Sequence, residues 1–133
     1  IWEDEGERGY LVQRFREEKS SVLIGRNFWE GIDVPGEALT LLIIWDLPLG
    51  VRAPLIDAQR KEATAQGLDP VTAVDYPEMA LKLKQGCGRL IRTKEDRGAI
   101  VILASVIGTP WESYVMGALP SGARIYKNKE YLL

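Results

Sequence analysis

Residues 85–92 read QGCGRLIR, and they place Gln85, Arg89 and Arg92 at intervals of four and three. With Lys82 three residues earlier, these side chains form one stripe on a helix of 3.6 residues per turn. No carboxylate is interleaved in the stripe. An arginine guanidinium is planar, always charged and shaped to grip phosphate oxygens, so two arginines on one face could hold adjacent phosphoryl groups. Gly86 and Gly88 lie inside this stretch, and each interior glycine costs a helix about 1 kcal/mol relative to alanine. Missing side chains at these points would let a ligand or another backbone approach closely. A solvated basic face with structural glycines would give the same pattern.

A second chemical stretch is NFWEGIDVPGEAL at 27–39. Gly31 and Gly36 permit sharp turns, and Pro35 stiffens the segment. Glu30 and Asp33 offer acceptors that could hold a ribose hydroxyl, a metal-bound water or a partner's basic group. Asp33 would equally serve as a turn-capping aspartate. Phe28 and Trp29 are either core anchors or a stacking platform for a nucleobase.

The elements that must position these stretches can be read from hydrophobic periodicity. Residues 9–19 carry Leu11, Val12 and Phe15 on one stripe, which predicts an amphipathic helix. The apolar runs 21–25, 40–48 and 98–104 predict three buried strands. Residues 54–66 predict a helix with Pro54 in its first turn, followed by an irregular segment, GLDPVTAVDYP. A helix is expected over 77–92, burying Met79, Ala80, Leu83, Cys87, Leu90 and Ile91, and a short one over 110–118. The tail from Ile125 is expected to be a short strand or loop. Apolar strands separated by helices imply an α/β fold, a mostly parallel sheet with helices on both faces. Ligands of such sheets bind beyond the C-terminal ends of the strands, where the loops 26–38 and 45–52 would lie.

Composition bounds the rest. The 133 residues suit one domain of ordinary globular make-up, with 46% apolar and 27% charged residues. A net charge of −2 argues against a chain-wide basic surface and leaves room for a local basic strip. One cysteine, Cys87, and no histidine exclude an internal disulfide and histidine acid–base catalysis. They also argue against a zinc or iron–sulfur site built from this chain alone. A reducing, cytoplasmic compartment fits this cysteine usage best. No apolar run approaches the roughly 18 residues of a membrane span, so no membrane partner is expected. The chain starts at Ile1 without an initiator methionine, and it is expected to be a piece of a longer protein.

Taken together, QGCGRLIR followed by TKEDRG, FWEGIDVPGEAL, and the strand end IIWDLPL resemble the second RecA-like domain of superfamily 2 helicases, in particular the DinG/XPD group of DNA helicases. The first stretch is similar to motif VI of that group and the second to motif V; the likeness runs from about residue 9 to 120. The resemblance implies a RecA-like, three-layer α/β/α domain within a larger ATP-dependent DNA helicase of 5′→3′ polarity. It implies that Arg92 is the arginine finger reaching the γ-phosphate of ATP bound on the first RecA-like domain, with Arg89 assisting. Gln85 would lie at the nucleotide edge of the cleft. Gly31 and Asp33 would contact the nucleotide sugar or relay between ATP and DNA. Arg26, Asn27, Phe28 and Glu30 would approach single-stranded DNA. ATP with Mg2+ would be held mainly by the first domain, where the group's iron–sulfur cluster, if present, also belongs. Neither a GxxxxGK[ST] phosphate loop nor a DEAH-type box occurs in the sequence, so the domain alone is expected to hydrolyse ATP weakly or not at all.

Two positions depart from the group's pattern. Asn27, preceded by Arg26, stands where a small hydroxyl residue is usual. The segment LASVIGTPWES has Ala104 where an Asp followed by an Arg is common. Two other readings remain at this stage: a different superfamily 2 motor acting on RNA or chromatin, and a non-enzymatic α/β nucleotide-binding or regulatory module.

Overall fold

The computed structural model describes residues 1–26, 28, 29, 34, 39–90 and 96–126. Among them are helices α1 (Arg8–Glu17), α2 (Pro54–Ala65), α3 (Tyr76–Cys87) and α4 (Glu112–Ala118), and strands β1 (Leu41–Ile44) and β2 (Ala99–Ile102). The chain divides into two compact units, one of Ile1–Ile43 with Gln85–Val101 and one of Ile44–Lys84 with Ile102–Leu133.

β1 and β2 pair with each other. The Ala99 N–H donates to the Thr40 carbonyl at 3.0 Å, and the Leu103 N–H donates to the Ile44 carbonyl at 2.9 Å. Both partners advance by four residues in the same direction, so the pair is parallel. The fold is therefore α/β, with a small two-stranded parallel sheet among the described residues.

The expectation of fully buried strands is corrected here. Burial alternates along both strands, and Leu41, Ile43 and Val101 are exposed at 48%, 53% and 37%. A parallel sheet has continuous burial only where both faces are covered. The described residues cover the face of Ile44 and leave the other open. The run 21–25 is also no strand. It contributes an isolated parallel bridge between Ile24 and Trp2, and Val22 and Ile24 are exposed. A short apolar run needs a neighbouring strand to become one, and among the described residues only that bridge forms.

In the first unit, α1 buries Leu11 and Val12, the stripe its periodicity predicts. Arg14 bonds Glu5 at 2.8 Å and Glu18 at 2.9 Å, both solvent-facing pairs. In the second unit, α2 starts at Pro54, as expected of proline in a first turn. The segment read as irregular is instead a π-helical turn, Val71–Asp75, that runs straight into α3. Asp69 Oδ1 accepts the Val71 N–H at 3.1 Å, and Pro70 supplies helical φ, a start signal of the usual Asp-Pro kind. The wider turn stands where Pro77 has no N–H to donate and where its ring would crowd an α-helical carbonyl. Arg60 of α2 is ion-paired with Asp75 at the end of this turn, and the pairing raises the guanidinium pKa further above its ordinary value.

Candidate nucleotide and nucleic-acid interface

The helix carrying the basic stripe ends sooner than its spacing suggests. α3 stops at Cys87, and Gly88–Leu90 form a turn closed by Arg89 N–H to Gly86 C=O and Leu90 N–H to Cys87 C=O, both 3.1 Å. These i→i+3 bonds tighten the helix end, and two glycines within three residues lower its propensity to continue. Arg89 therefore projects from a turn rather than from a straight helical face. Gln85 is exposed, Lys82 and Arg89 are half-buried, and Arg92 and Ile91 lie outside the described residues. Of the apolar face expected for this helix, Met79, Leu83, Cys87 and Leu90 are at most 2% exposed, while Ala80 is half-buried. Lys82 lines a shallow depression of the second unit with Pro48, Val51, Ile56, Asp75 and Glu78.

The close approach implied by the glycines is real, and protein fills it. A Cβ on Gly86 would lie 2.9 Å from Cε3 and 3.0 Å from Cζ3 of Trp29. The indole of the FWEGID stretch thus lies against the bare backbone of α3. At the other end of the turn, Leu90 is seated on Gly98. A Cβ there would come within 2.6 Å of Leu90 Cδ1 and 2.9 Å of the Thr40 carbonyl oxygen. Between these two anchors sits Arg89. Its Nε is buried and has no hydrogen-bond partner among the described residues. A buried guanidinium nitrogen without a partner is costly.

Cys87 occupies the apolar side. Burial pushes its thiol from 9.0 up to about 11, so it stays protonated at neutral pH and behaves as a small core side chain. Among the described residues no group of His, Cys, Asp and Glu side chains is arranged to hold a metal ion.

From the second stretch, Arg26 is exposed, and its backbone N–H donates to Glu3 Oε2 at 2.8 Å. Phe28 and Trp29 are both half-buried. The Phe28 ring lies over Gly25, where a Cβ would overlap it. Each aromatic is thus packed on a glycine. Val34 is buried at 1% exposure. Asn27, Glu30, Gly31 and Asp33 lie outside the described residues.

The segment with Ala104 has its own internal brace, which sequence reasoning missed. The Trp111 Nε1–H donates to the Ser105 carbonyl at 2.9 Å. The Trp111 ring meets Tyr76 edge-on at 6.1 Å, and Tyr76 meets Tyr114 at 5.3 Å. No spacing in the sequence signals this brace. The meeting of these aromatics required the tertiary fold.

A family model describing the helicase C-terminal domain matches residues 1–122. The chain belongs to that family. It is 43% identical over 104 residues to the ATP-dependent DNA helicase YoaA of Haemophilus influenzae, covering 77% of this chain and 16% of that protein. To YoaA of Escherichia coli it is 36% identical over 127 residues, covering 93% of this chain and 20% of the relative. To the 3'-5' exonuclease DinG of Bacillus subtilis it is 38% identical over 119 residues, covering 87% and 13%. The chain thus spans at most a fifth of the length of these relatives. The expected kinship with DinG-type helicases is borne out. No helix among the described residues is long and apolar enough to cross a membrane.

Proposed function

We propose that this chain is the second RecA-like domain of a larger ATP-dependent DNA helicase, a three-layer α/β/α unit that completes the ATP pocket of the first RecA-like domain and forms part of the single-stranded DNA track. In this reading Arg92 is the arginine finger, Arg89 assists at the phosphates, and Gln85 borders the nucleotide. Gly31 and Asp33 face the sugar or relay between ATP and DNA. Arg26, Asn27, Phe28 and Glu30 approach the DNA strand. The observation that carries it is Arg89: a half-buried guanidinium whose buried Nε has no partner among the described residues, on a turn held at both ends, in a chain of the helicase C-terminal domain family. A solvated basic face would leave that nitrogen to water. The names of the YoaA relatives, ATP-dependent DNA helicases, supply the substrate class.

ATP supplies the phosphoanhydride whose cleavage drives the motor, and Mg2+ would be held by an acidic box that this chain does not contain. What the chain's own residues do is electrostatic. Guanidinium charge set in advance beside a phosphoryl group stabilises charge developing there without reorganisation, and such a finger is worth about 10³–10⁵ in turnover. The domain by itself hydrolyses ATP weakly or not at all. The polarity is 5′→3′. An iron–sulfur cluster, where the parent protein has one, sits on the first domain, because one buried cysteine cannot ligate it here.

Replacing Arg92 with Ala in the full-length parent protein should remove most DNA-stimulated ATPase while leaving ATP affinity within a few-fold. Normal turnover in that variant would refute the finger assignment. Comparing single-stranded DNA with RNA as the stimulating strand decides the substrate class.

A further inference from the structure

The tryptophan of the FWEGID stretch carries no role in the reading above, yet its indole packs against the backbone of the motif VI helix at Gly86. From this we infer that Trp29 is a positioning residue, which transmits occupancy of the nucleic-acid stretch to the arginine turn by bearing directly on the backbone at Gly86. The inference rests on the helicase reading and deepens it.

Three features of the contact support this role. It is made to backbone, since Gly86 has no side chain, and Cε3 of the indole lies 2.9 Å from where a Cβ would stand. A displacement of the ring therefore cannot be absorbed by a rotamer change on the helix side. The ring itself is stiff, with two side-chain torsions. The residues on either side of the contact also belong to different ligands. Trp29 follows Arg26, Asn27 and Phe28, the proposed DNA side, while Gly86 is flanked by Gln85 and, three residues on, Arg89, the proposed nucleotide side. Within the first unit, Leu90 against Gly98 gives the turn a fixed seat beyond Arg89, so a push at Gly86 moves the segment between two anchors.

Coupling of this kind is reciprocal: DNA must change nucleotide affinity by the same factor as nucleotide changes DNA affinity. The test therefore uses binding in the full-length parent protein. A fluorescent ATP analogue is titrated with and without a single-stranded oligonucleotide, and the labelled oligonucleotide with and without a non-hydrolysable ATP analogue. Gly86→Ala, which drives a methyl into the indole, and Trp29→Phe, which shrinks it, should each reduce both factors about fivefold or more, and equally. Each ligand's affinity measured alone should stay within about twofold. Combining the two substitutions should restore part of the lost coupling, because the smaller ring makes room for the methyl.

Unchanged coupling factors in both variants would overturn the inference. So would a loss of DNA affinity in the absence of nucleotide on Trp29→Phe, since the indole would then be a base-stacking platform. If the unmodified parent shows no coupling between DNA and nucleotide, the helicase reading itself fails, an outcome distinct from the other two. Circular dichroism of each variant separates loss of coupling from loss of fold. Trp29→Phe, the milder change, keeps the test decisive if Gly86→Ala misfolds.

Discussion

Gly98→Ala adds one methyl group at the point where the arginine turn is seated, and its cost can be worked out from its neighbours. The new Cβ would meet Leu90 Cδ1 at 2.6 Å, Leu90 Cγ at 2.9 Å and the Thr40 carbonyl oxygen at 2.9 Å. Leu90 is only 2% exposed and has little room to swing away. The Thr40 oxygen already accepts the Ala99 N–H at 3.0 Å, so moving it loosens the first rung of the β1–β2 ladder. Overpacking of this kind costs about 1–3 kcal/mol. A weakened backbone hydrogen bond adds up to about 1 kcal/mol. The lower entropy of an alanine-containing unfolded chain returns about 0.4–1 kcal/mol. The net expectation is a loss of about 2 kcal/mol. Gly9→Ala in α1 is the matched control, because a Cβ at Gly9 meets nothing within 4 Å. That substitution should be neutral or stabilise by up to about 0.5 kcal/mol, since Gly9 stands in the first turn of α1. Urea unfolding of both variants, followed by tryptophan fluorescence, should lower the midpoint for Gly98→Ala and leave it unchanged or raise it for Gly9→Ala, at unchanged slope. If Gly98→Ala is neutral or stabilising, Leu90 is free to move, and the turn carrying Arg89 is not held as described.

The Cys87 thiol should resist maleimide at pH 8 in the native protein and react once urea unfolds it; rapid native labelling would contradict its burial. Its folded pKa, about 11, stands above the ordinary 9.0, so the unfolded state loses its proton first as pH rises. Stability is therefore unaffected by this thiol below about pH 9 and falls between 9 and 11, a decline that Cys87→Ala should remove in a melting-temperature series. Asp75→Asn should lower the melting temperature by unpairing Arg60, with the difference shrinking as salt is raised; a salt-independent difference would point to packing instead. Trp111→Phe keeps the ring and removes the donor to Ser105, so it should cost about 1 kcal/mol, while Trp111→Ala, losing the contact with Tyr76 as well, should cost clearly more. Equal losses would leave the ring contact with Tyr76 without energetic weight.

Much of the element order was legible because it is local. α1, α2 and α4 follow from periodicity and from Pro54 at a first turn, and the strand cores of β1 and β2 follow from their β-branched apolar runs. Three things were not legible. A continuous apolar run does not say whether both faces are covered, so Leu41 and Ile43 were expected inside and are exposed. The run at 21–25 could not reveal that its one rung would be to Trp2. The π-helical turn was hidden because Gly67, Pro70 and Pro77 punctuate the segment like a loop, whereas Asp69 and Pro70 in fact begin a helix. At the candidate site, spacing alone showed that Gly86 must allow a close approach. It could not show that the visitor is Trp29, which lies far away in sequence. Spacing also overran the end of α3, because a residue count carries the stripe through Gly88, where the backbone turns into i→i+3 bonding.

The open side of the β1–β2 pair bears on how this chain behaves in solution. Leu41 and Ile43 on one strand and Ala99 and Val101 on the other present oil-like surface to water in the first unit. Such surface favours self-association in concentrated solution and recruits detergents and holdases during purification. A threonine or lysine at position 41 or 43 is thus the natural first choice for a well-behaved, monodisperse sample.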